Sequence, residues 1–256
     1  MTAHECLTIA FILSLVVTLF ASLRLLQKRS SPCPECTRKL MHVGSGLISL
    51  SLPWLVDRAE TVLLLSLLAF AGLIAMRYCS ALRGLHSVIG NVPRRSVGEL
   101  CIPVAAAFLF VASDGDVFLY SMPLLAMTFA DSAAALVGQR LGQITLANDK
   151  TVEGSFAFFA VCFLATDVCL FSFGGCGGVE AMLLSMLFAA LLAAIEAASA
   201  LGLDNLFVPV GGFVILRLFG RMNAGQLALA VALIAAVLAL GFFSRIRPVL
   251  RGRFTI

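Results

Sequence analysis

A single aspartate inside an apolar stretch is the residue of this chain best placed for chemistry. Asp131 lies in PLLAMTFADSAAALVGQRLG, which ends in a Gly-x-x-x-Gly element formed by Gly138 and Gly142. A carboxylate inside a bilayer costs about 2.5–3.5 kcal/mol on insertion scales, so such a residue is expected to have a function. Arg140 and Lys150 follow at the polar end of the stretch. The combination predicts a metal and phosphate site that opens from the membrane interface.

The residues around Asp131 are suited to binding a cation. Asp131, Ala135 and Gly138 are spaced by four and three residues, so they share one face of a helix. Small residues on that face admit a close neighbour, which is either another helix or a phosphate chain. Magnesium usually binds one or two protein carboxylates together with substrate phosphates, and Asp131 is well suited to bind it. A structural aspartate that hydrogen-bonds between helices is the alternative.

A second polar segment, DKTVEGS, begins a later apolar stretch. Gly154 and Ser155 lie where a helix is predicted to begin, and a helix N-terminus offers free N–H groups and a favourable dipole to an anion. Lys150 supplies the kind of mobile charge that contacts nucleotide phosphates. A carboxylate beside phosphate, Glu153, favours a shared metal ion, with helix capping as the alternative.

The segment RKLMHVGSG carries a histidine near the start of another apolar stretch. Arg38 and His42 are four residues apart and share a helix face. His42 is suited to donate a hydrogen bond to phosphate or to act as a general base, because its ordinary pKa is about 6.5. A histidine that only extends to the interface is the alternative. By themselves, Arg38 and Lys39 are better explained as basic anchors at the membrane surface.

Three further carboxylates are candidates for the same site. Glu99 follows Arg95 by four residues in RRSVGE, which predicts a structural ion pair, an arginine held toward phosphate, or a carboxylate that joins the metal ligands. Glu196 lies inside AALLAAIEAASALG, where its insertion cost implies a partner such as a metal or a base. Asp204 follows in the next turn.

The elements that position these residues must be membrane helices. The chain is 61% hydrophobic and its mean hydropathy is +1.03, far above the values of an ordinary soluble domain. Apolar runs of about 15–20 residues recur, and this length crosses a bilayer core of about 30 Å. The sequence predicts an all-α polytopic membrane protein with one integral membrane domain over residues 1–256. Nine spans are predicted, at about 6–26, 40–56, 61–77, 100–113, 117–138, 154–173, 180–201, 206–219 and 225–243.

The basic residues predict the orientation. Fifteen of the 18 lysine and arginine residues fall on one side of the nine-span topology, against two, Arg58 and Arg221, on the other. The positive-inside rule then places the N-terminus outside and a basic tail, residues 244–256, in the cytoplasm. All of the polar segments fall at cytoplasmic span ends, which predicts one composite site on that face. The net charge of +4 is explained by this topology and by anionic lipid, so no nucleic-acid partner is predicted.

Cys33 and Cys36 form the one close cysteine pair of the sequence. In a cytoplasmic loop a structural disulfide is not expected. The pair supplies half of a zinc site, with His42 as a distant third ligand. A turn built on Pro32 and Pro34 is the favoured interpretation.

In their order along the chain, the motifs RKLMHVGSG, RRSVGE, FADSAAALVGQRLG, KTVEGS and Glu196 with LDNLFVP resemble those of the CTP-dependent lipid kinases. That family includes dolichol kinase, phytol and farnesol kinase and the yeast-type diacylglycerol kinase, and it is related to the phosphatidate cytidylyltransferases. The resemblance covers about residues 37–210. It implies transfer of the γ-phosphate of CTP to the hydroxyl of a membrane lipid, foremost a polyprenol-type alcohol, with a divalent cation such as Mg²⁺.

The resemblance also implies roles for individual residues. The candidate catalytic residues are His42, Asp131 and Glu99. The candidate metal ligands are Asp131, Glu153, Glu196 and Asp204, and the candidate phosphate ligands are Arg38, Gly138, Arg140, Gly142, Lys150, Gly154 and Ser155. The sequence departs from the family pattern at Gln139, which precedes Arg140 where a Gly-Arg or Gly-Lys pair is commoner.

Two other classes of function fit parts of this pattern. A cytidylyltransferase would transfer CMP to a lipid phosphate, and the residues by themselves do not select cytidine over another base. A lipid transporter would place polar sites near the midplane, often on paired repeats. Here the motifs gather at one membrane face and no internal repeat is apparent, which favours an enzyme. Diacylglycerol and a polyprenol-type alcohol both fit as the acceptor.

Overall fold

Helices form nearly all of the structure, a computed structural model that describes residues 3–30, 32–79, 83–90, 96–146, 148, 150–173 and 178–253. Within those residues the strand-like pairing is confined to a bridge between Thr145 and Thr151. The high hydropathy and the recurrence of long apolar runs explain this outcome, since a helix satisfies its own backbone hydrogen bonds inside a bilayer.

The helices, in chain order, are α1 (Ala3–Ser30), α2 (Pro34–Leu50), α3 (Leu52–Leu55), α4 (Ala59–Tyr78), α5 (Arg83–Gly90), α6 (Gly98–Ser113), α7 (Val117–Leu125), α8 (Asp131–Leu141), α9 (Val152–Phe173), α10 (Gly178–Ala198), α11 (Asp204–Phe219) and α12 (Ala224–Arg253). A π-helical segment, Ala126–Ala130, joins α7 to α8. The three therefore run as one continuous rod, Val117–Leu141.

The predicted all-α polytopic membrane class is confirmed. Among the described residues, six helical stretches are long and apolar enough to cross a membrane: Ala3–Ser30, Ala59–Tyr78, Val117–Leu141, Val152–Ser172, Gly178–Ala198 and Ala224–Gly241. Each of the nine predicted spans falls on a helix, but α2, α6 and α11 are shorter than these six. The count of nine and the orientation therefore stay predictions.

The helix α2 begins at Pro34, ahead of the membrane span predicted from about 40. Pro34 stands in the first turn, where a proline is tolerated because its missing N–H would have no helical partner. Arg38, Lys39 and His42 therefore all lie on this helix, as the shared helix face predicted for Arg38 and His42 requires.

The first turn of α2 also differs from the prediction for its cysteines. Cys33 and Cys36 are paired as a disulfide, with their Cα atoms 5.3 Å apart. Cys33 is the N-cap residue of α2, and the helical turn that follows it carries Cys36 back toward it. The expectation that Cys33 and Cys36 form no structural disulfide was therefore wrong.

The helix α2 lies at the centre of the molecule and contacts α1, α6, α7, α8 and the π segment. The π segment also contacts α9 and α11, while α9 packs against α8 and α10, and α11 packs against α6 and α10. Large side chains fill the interior, including Tyr120, Phe158, Phe188 and Leu192. The outer helices carry large exposed apolar side chains, as expected of surfaces that face lipid: Leu7, Leu63, Leu67, Leu229 and Leu233.

Candidate active site

The aspartate of the apolar stretch is buried and paired with a lysine of α2. Asp131 is the first residue of α8, and its Oδ2 atom lies 2.5 Å from Nζ of Lys39. The same ammonium group donates to the Asp131 backbone oxygen at 3.1 Å. Both side chains are buried. The cost of placing a carboxylate inside the protein is thus offset by a charge-assisted hydrogen bond.

A histidine one turn further along α2 reaches the same carboxylate. Nε2 of His42 lies 3.4 Å from Oδ2 of Asp131 and 2.9 Å from the backbone oxygen of Met127. A carbonyl oxygen only accepts, so Nε2 carries the hydrogen and donates it to Met127. The lone pair of the neutral ring is then on Nδ1.

The close approach of α2 to the π segment depends on a glycine. A methyl group added at Gly46 would overlap the side chain of Thr128. The π-helical segment Ala126–Ala130 stands directly before Asp131, and such segments often occur at functional sites. The absent side chain at Gly46 lets α2 lie close to this segment.

A second lysine joins two further carboxylates. Nζ of Lys150 lies 2.7 Å from Oδ2 of Asp204 and forms an even closer pair with Oε1 of Glu196. Both carboxylates are buried, Glu196 near the end of α10 and Asp204 at the start of α11. The ammonium group of Lys150 therefore connects the loop before α9 to the turn between α10 and α11.

The loop that carries Lys150 is held by backbone pairing. The N–H of Leu146 donates to the Lys150 oxygen at 2.7 Å, and the N–H of Val152 donates to the Ile144 oxygen at 2.9 Å. Asn148 extends from the same loop and donates from Nδ2 to the backbone oxygen of Ala198, at the end of α10, at 3.2 Å. These contacts place Lys150 beside Glu196.

Burial and charge oppose each other at Lys150. Burial disfavours the charged ammonium group, but the carboxylates of Asp204 and Glu196 outweigh it and hold the pKa of Lys150 above that of a free lysine. Lys150 is consequently a fixed positive charge at neutral pH.

The three carboxylates form one cluster. Asp131, Glu196 and Asp204 each offer an oxygen atom, and these atoms lie within 4.8 Å of one another. Oε2 of Glu196 is buried and has no hydrogen-bond partner. Lys39 and Lys150 supply two positive charges against three negative ones. An all-oxygen set with an unpartnered carboxylate oxygen and excess negative charge fits a hard divalent cation such as Mg²⁺.

The side-chain amide of Asn205 lies next to this cluster, beside Asp204. Its Nδ2 atom donates to the backbone oxygen of Gly98 at 2.9 Å, which ties the start of α11 to the start of α6. Its Oδ1 atom is buried and unpartnered. Buried polar atoms without hydrogen-bond partners are rare in folded proteins. Two of them at one site, Oε2 of Glu196 and Oδ1 of Asn205, are consistent with a site that binds a ligand.

The structure brings together five of the predicted site residues: His42, Asp131, Lys150, Glu196 and Asp204. Arg38 and Glu99 stand nearby as lining residues of a cavity that His42 also lines. Arg38 pairs with Glu35, one turn earlier on α2. Glu99 lies 3.9 Å from Nη1 of Arg77, and its predicted partner Arg95 lies outside the described residues.

The other predicted residues have different neighbours. Glu153 accepts from the backbone N–H of Ile144, in the loop after α8, at 3.3 Å and does not belong to the three-carboxylate cluster. Arg140 is exposed in the last turn of α8. The N–H of Gly154 already donates to Oγ1 of Thr151 at 3.1 Å. Ser155 has a buried hydroxyl without a hydrogen-bond partner.

The glycines of the α8 motif are used for helix packing. A methyl group at Gly154 would lie 2.9 Å from the backbone oxygen of Ala134 and 3.4 Å from Cα of Gly138. One at Gly142 would lie 2.7 Å from Cγ2 of Thr151. Of the two alternatives for these small residues, a close helix and a phosphate chain, the structure places a helix, α9, against them.

Sequence reasoning missed two residues of this site, Lys39 and Asn205. The positive-inside rule explains Lys39 as a membrane-surface anchor, but the structure buries it on Asp131. Helical spacing carried a usable signal, since Lys39 and His42 are three residues apart and share a face.

Comparison with known proteins identifies a relative. A phytol kinase of Synechocystis sp. is 31% identical to this chain in an alignment of 202 residues that covers 75% of this chain and 82% of that enzyme. No family model matches the sequence, and no solved structure matches it.

Proposed function

The chain belongs to the phytol kinase family, and we propose that it transfers the γ-phosphate of CTP to the hydroxyl of a prenol-type membrane alcohol. The relative supports a lipid kinase that acts on an alcohol of this type. The choice of CTP rests on the resemblance of the ordered motifs to the CTP-dependent lipid kinases.

The main support for the proposal is the buried carboxylate cluster, whose members form ion pairs with two lysines. Asp131, Glu196 and Asp204 converge within 4.8 Å, and Lys39 and Lys150 pair with them. Phosphoryl transfer needs positioning and neutralisation of charge more than covalent chemistry from the protein. A site of carboxylates and fixed cations supplies both.

We assign the divalent cation to Asp131, Glu196 and Asp204. The unpartnered Oε2 atom of Glu196 supports this assignment, because no hydrogen bond need be broken to free it. When bound, the cation would neutralise charge on the carboxylates and the phosphates. Glu153 is a weaker candidate than the other three because its carboxylate is bonded to the backbone of Ile144.

Lys150 is the proposed phosphate ligand. It lies on a loop, and its side chain is long enough to exchange its carboxylate partners for phosphate oxygens. Arg140, Arg38 and Ser155 remain candidates for further nucleotide contacts, whereas Gly138 and Gly142 lie against the Thr151–Gly154 segment. Glu99, at the edge of the cavity, is a candidate for positioning the acceptor hydroxyl.

His42 is the proposed base for the acceptor hydroxyl. Its Nδ1 atom holds the lone pair when Nε2 donates to Met127, whereas Oδ2 of Asp131 is already bonded to Lys39. The hydroxyl oxygen bonds to the γ-phosphorus as the bond from that phosphorus to the β-phosphate oxygen breaks. The hydroxyl proton passes to Nδ1, and CDP leaves.

The experiment uses CTP labelled at either the α- or the γ-phosphate. Purified protein in vesicles is incubated with each, together with phytol, geranylgeraniol, dolichol, diacylglycerol or phosphatidic acid. Label from the γ position only, on a prenol, is the expected result. Label from the α position only would show a cytidylyltransferase, and label on no lipid from either position would contradict an enzyme of this class. Unlabelled ATP and CTP as competitors test the nucleotide.

We further propose that the cluster faces the cytoplasm in a nine-span topology with the N-terminus outside. The distribution of basic residues supports this arrangement. The test is labelling of single cysteines in sealed, right-side-out vesicles with a reagent that does not cross membranes. We expect a cysteine at Arg58 to be labelled and one at Arg140 to be protected; the reverse pattern would invert the topology.

A further inference from the structure

A cavity of about 340 Å³ lies between α1, α2, α4, α5 and α6. Its polar lining is concentrated at the site described above, in Arg38, His42, Glu99 and Asn205, and most of the remaining lining is apolar. A cavity with an apolar body and a small convergent polar group is the usual form of a site for a small amphipathic molecule.

The polar residues of the cavity belong to the carboxylate cluster or adjoin it. His42 lines the cavity and its Nε2 atom lies 3.4 Å from Oδ2 of Asp131. Asn205 lines it as well and follows the cluster residue Asp204 directly. A molecule in the cavity with a hydroxyl at this end would therefore meet the cluster.

The apolar body of the cavity extends away from the cluster along α2. Its lining residues on that helix run from Arg38 to Ser49, a distance of about 16 Å at 1.5 Å per residue. This is about half of the hydrocarbon thickness of a bilayer. The cavity thus has the length to take an extended hydrocarbon chain from the interface into the apolar layer.

The cavity opens sideways between α1 and α4. Val17 and Ala21 on α1 and Leu68 and Gly72 on α4 line it and are also exposed. The side chain of Val17 is 66% exposed and that of Leu68 is 42% exposed. In a membrane helix such exposed apolar residues face lipid, so the opening gives onto the bilayer rather than onto water.

We propose that this cavity binds the hydrocarbon chain of the acceptor alcohol, which enters from the bilayer between α1 and α4. The inference rests on the proposed lipid kinase function. The cavity volume is at the low end of the range for small-molecule sites, about 300–1,000 Å³.

The side opening offers a direct test at Gly72. A side chain added there meets no atom within 4 Å of its Cβ position, so Gly72→Phe is compatible with the fold and places a ring in the opening. We expect its KM for geranylgeraniol to rise at least about tenfold, as is typical when an apolar pocket loses space. Phosphorylation of the much shorter geraniol is expected to change less than about twofold.

A matched variant separates the opening from general effects. Ala71→Phe adds the same ring at the neighbouring position of α4, which is exposed but does not line the cavity. This variant is expected to retain the wild-type KM for geranylgeraniol. Equal effects of Gly72→Phe and Ala71→Phe, or equal effects of Gly72→Phe on both alcohols, would overturn the proposal.

A binding measurement keeps the cavity separate from the kinase activity. A geranylgeraniol analogue with a photoreactive diazirine near its tail is irradiated with the protein in vesicles without nucleotide. We expect crosslinks on α1 and α4, reduced by Gly72→Phe. Crosslinks confined to α9, α10 or α12 would overturn the cavity proposal even if phosphorylation is observed. Crosslinks on α1 and α4 without phosphorylation of any alcohol would support the cavity and contradict the proposed function.

Discussion

Lys39 and Asp131 are 92 residues apart in the sequence and form a buried ion pair, with 2.5 Å between Nζ and Oδ2. The pair joins the central helix α2 to the start of α8 and brings His42 to the same carboxylate. A buried charge that loses its partner is costly, whereas removal of both charges together is often tolerated. This asymmetry separates the structural contribution of the pair from its contribution to catalysis.

Replacement of the lysine should destabilise and inactivate the protein. Lys39→Met leaves the Asp131 carboxylate buried without its partner, at an expected cost of about 3–5 kcal/mol. The melting temperature in detergent and the phosphorylation of geranylgeraniol are measured. Lys28→Met, an exposed lysine at the end of α1, is the matched control and should behave as the wild type.

The double variant Lys39→Met/Asp131→Asn is expected to recover much of the stability lost in Lys39→Met, because no buried charge then remains unpaired. It should remain inactive, since the cluster has lost one of its three carboxylates. A double variant no more stable than Lys39→Met would show that the ion pair is not the source of the loss.

The divalent cation requirement should depend on the cluster and not on Glu153. Glu196→Gln and Asp204→Asn are each expected to raise the Mg²⁺ concentration for half-maximal activity at least about tenfold. Glu153→Gln should leave it unchanged, because that carboxylate is bonded to the Ile144 backbone. Binding of Mn²⁺ to the protein without substrate, followed by electron paramagnetic resonance, provides a readout independent of activity. If Glu153→Gln alone altered the Mg²⁺ concentration for half-maximal activity, the cation would have to be assigned to Glu153 and not to the cluster.

The carboxylates of the site could be predicted from the sequence because a charge inside an apolar run is energetically costly. Asp131 and Glu196 each stand within an apolar run, where a charge needs a partner or a function. Membrane class and helical content follow from the same apolar runs. The packing of α8, α9, α10 and α11 brings Asp131 together with Glu196 and Asp204. The periodicity of a single sequence does not reveal which helices contact each other, so this convergence could not be predicted.

Two parts of the site escaped prediction for physical reasons. Lys39 belongs to a basic pair at a span end, which the positive-inside rule explains without a site, and only the packing of α2 against α8 shows that it is buried on Asp131. The π segment before Asp131 has no signal in hydropathy or spacing. Glu153 lies in a polar motif that predicts a metal ligand, and the structure gives its carboxylate a backbone partner, so its role as a ligand stays a prediction.

The glycine at the start of α9 should matter for packing rather than for nucleotide binding. A methyl group at Gly154 would lie 2.9 Å from the Ala134 backbone oxygen, so α8 and α9 would have to separate. Gly154→Ala is therefore expected to lower the melting temperature while the folded protein keeps its KM for CTP. Gly178→Ala, where a side chain meets no atom within 4 Å, is the control. An unchanged melting temperature with a raised KM would favour a phosphate site at this turn.

Lys150 should bind the nucleotide and stabilise the protein below a defined pH. Lys150→Met loses charge-assisted contacts worth about 1.5–3 kcal/mol, so the KM for CTP is expected to rise at least about tenfold. Folding raises the pKa of Lys150 above the 10.5 of a free lysine, so the folded protein binds this proton more tightly than the unfolded chain does. The resulting stabilisation is fully present below about pH 10.5 and is lost as the pH rises through the folded-state pKa.

The melting temperatures of wild type and Lys150→Met should therefore differ by a constant amount between pH 7 and about 10, and the difference should narrow above about pH 10.5. Lys28→Met controls for the titration of the other lysines, because its exposed side chain lies at the end of α1. A difference that already narrows between pH 7 and 9 would mean that Lys150 is not held in its charged form by Asp204 and Glu196.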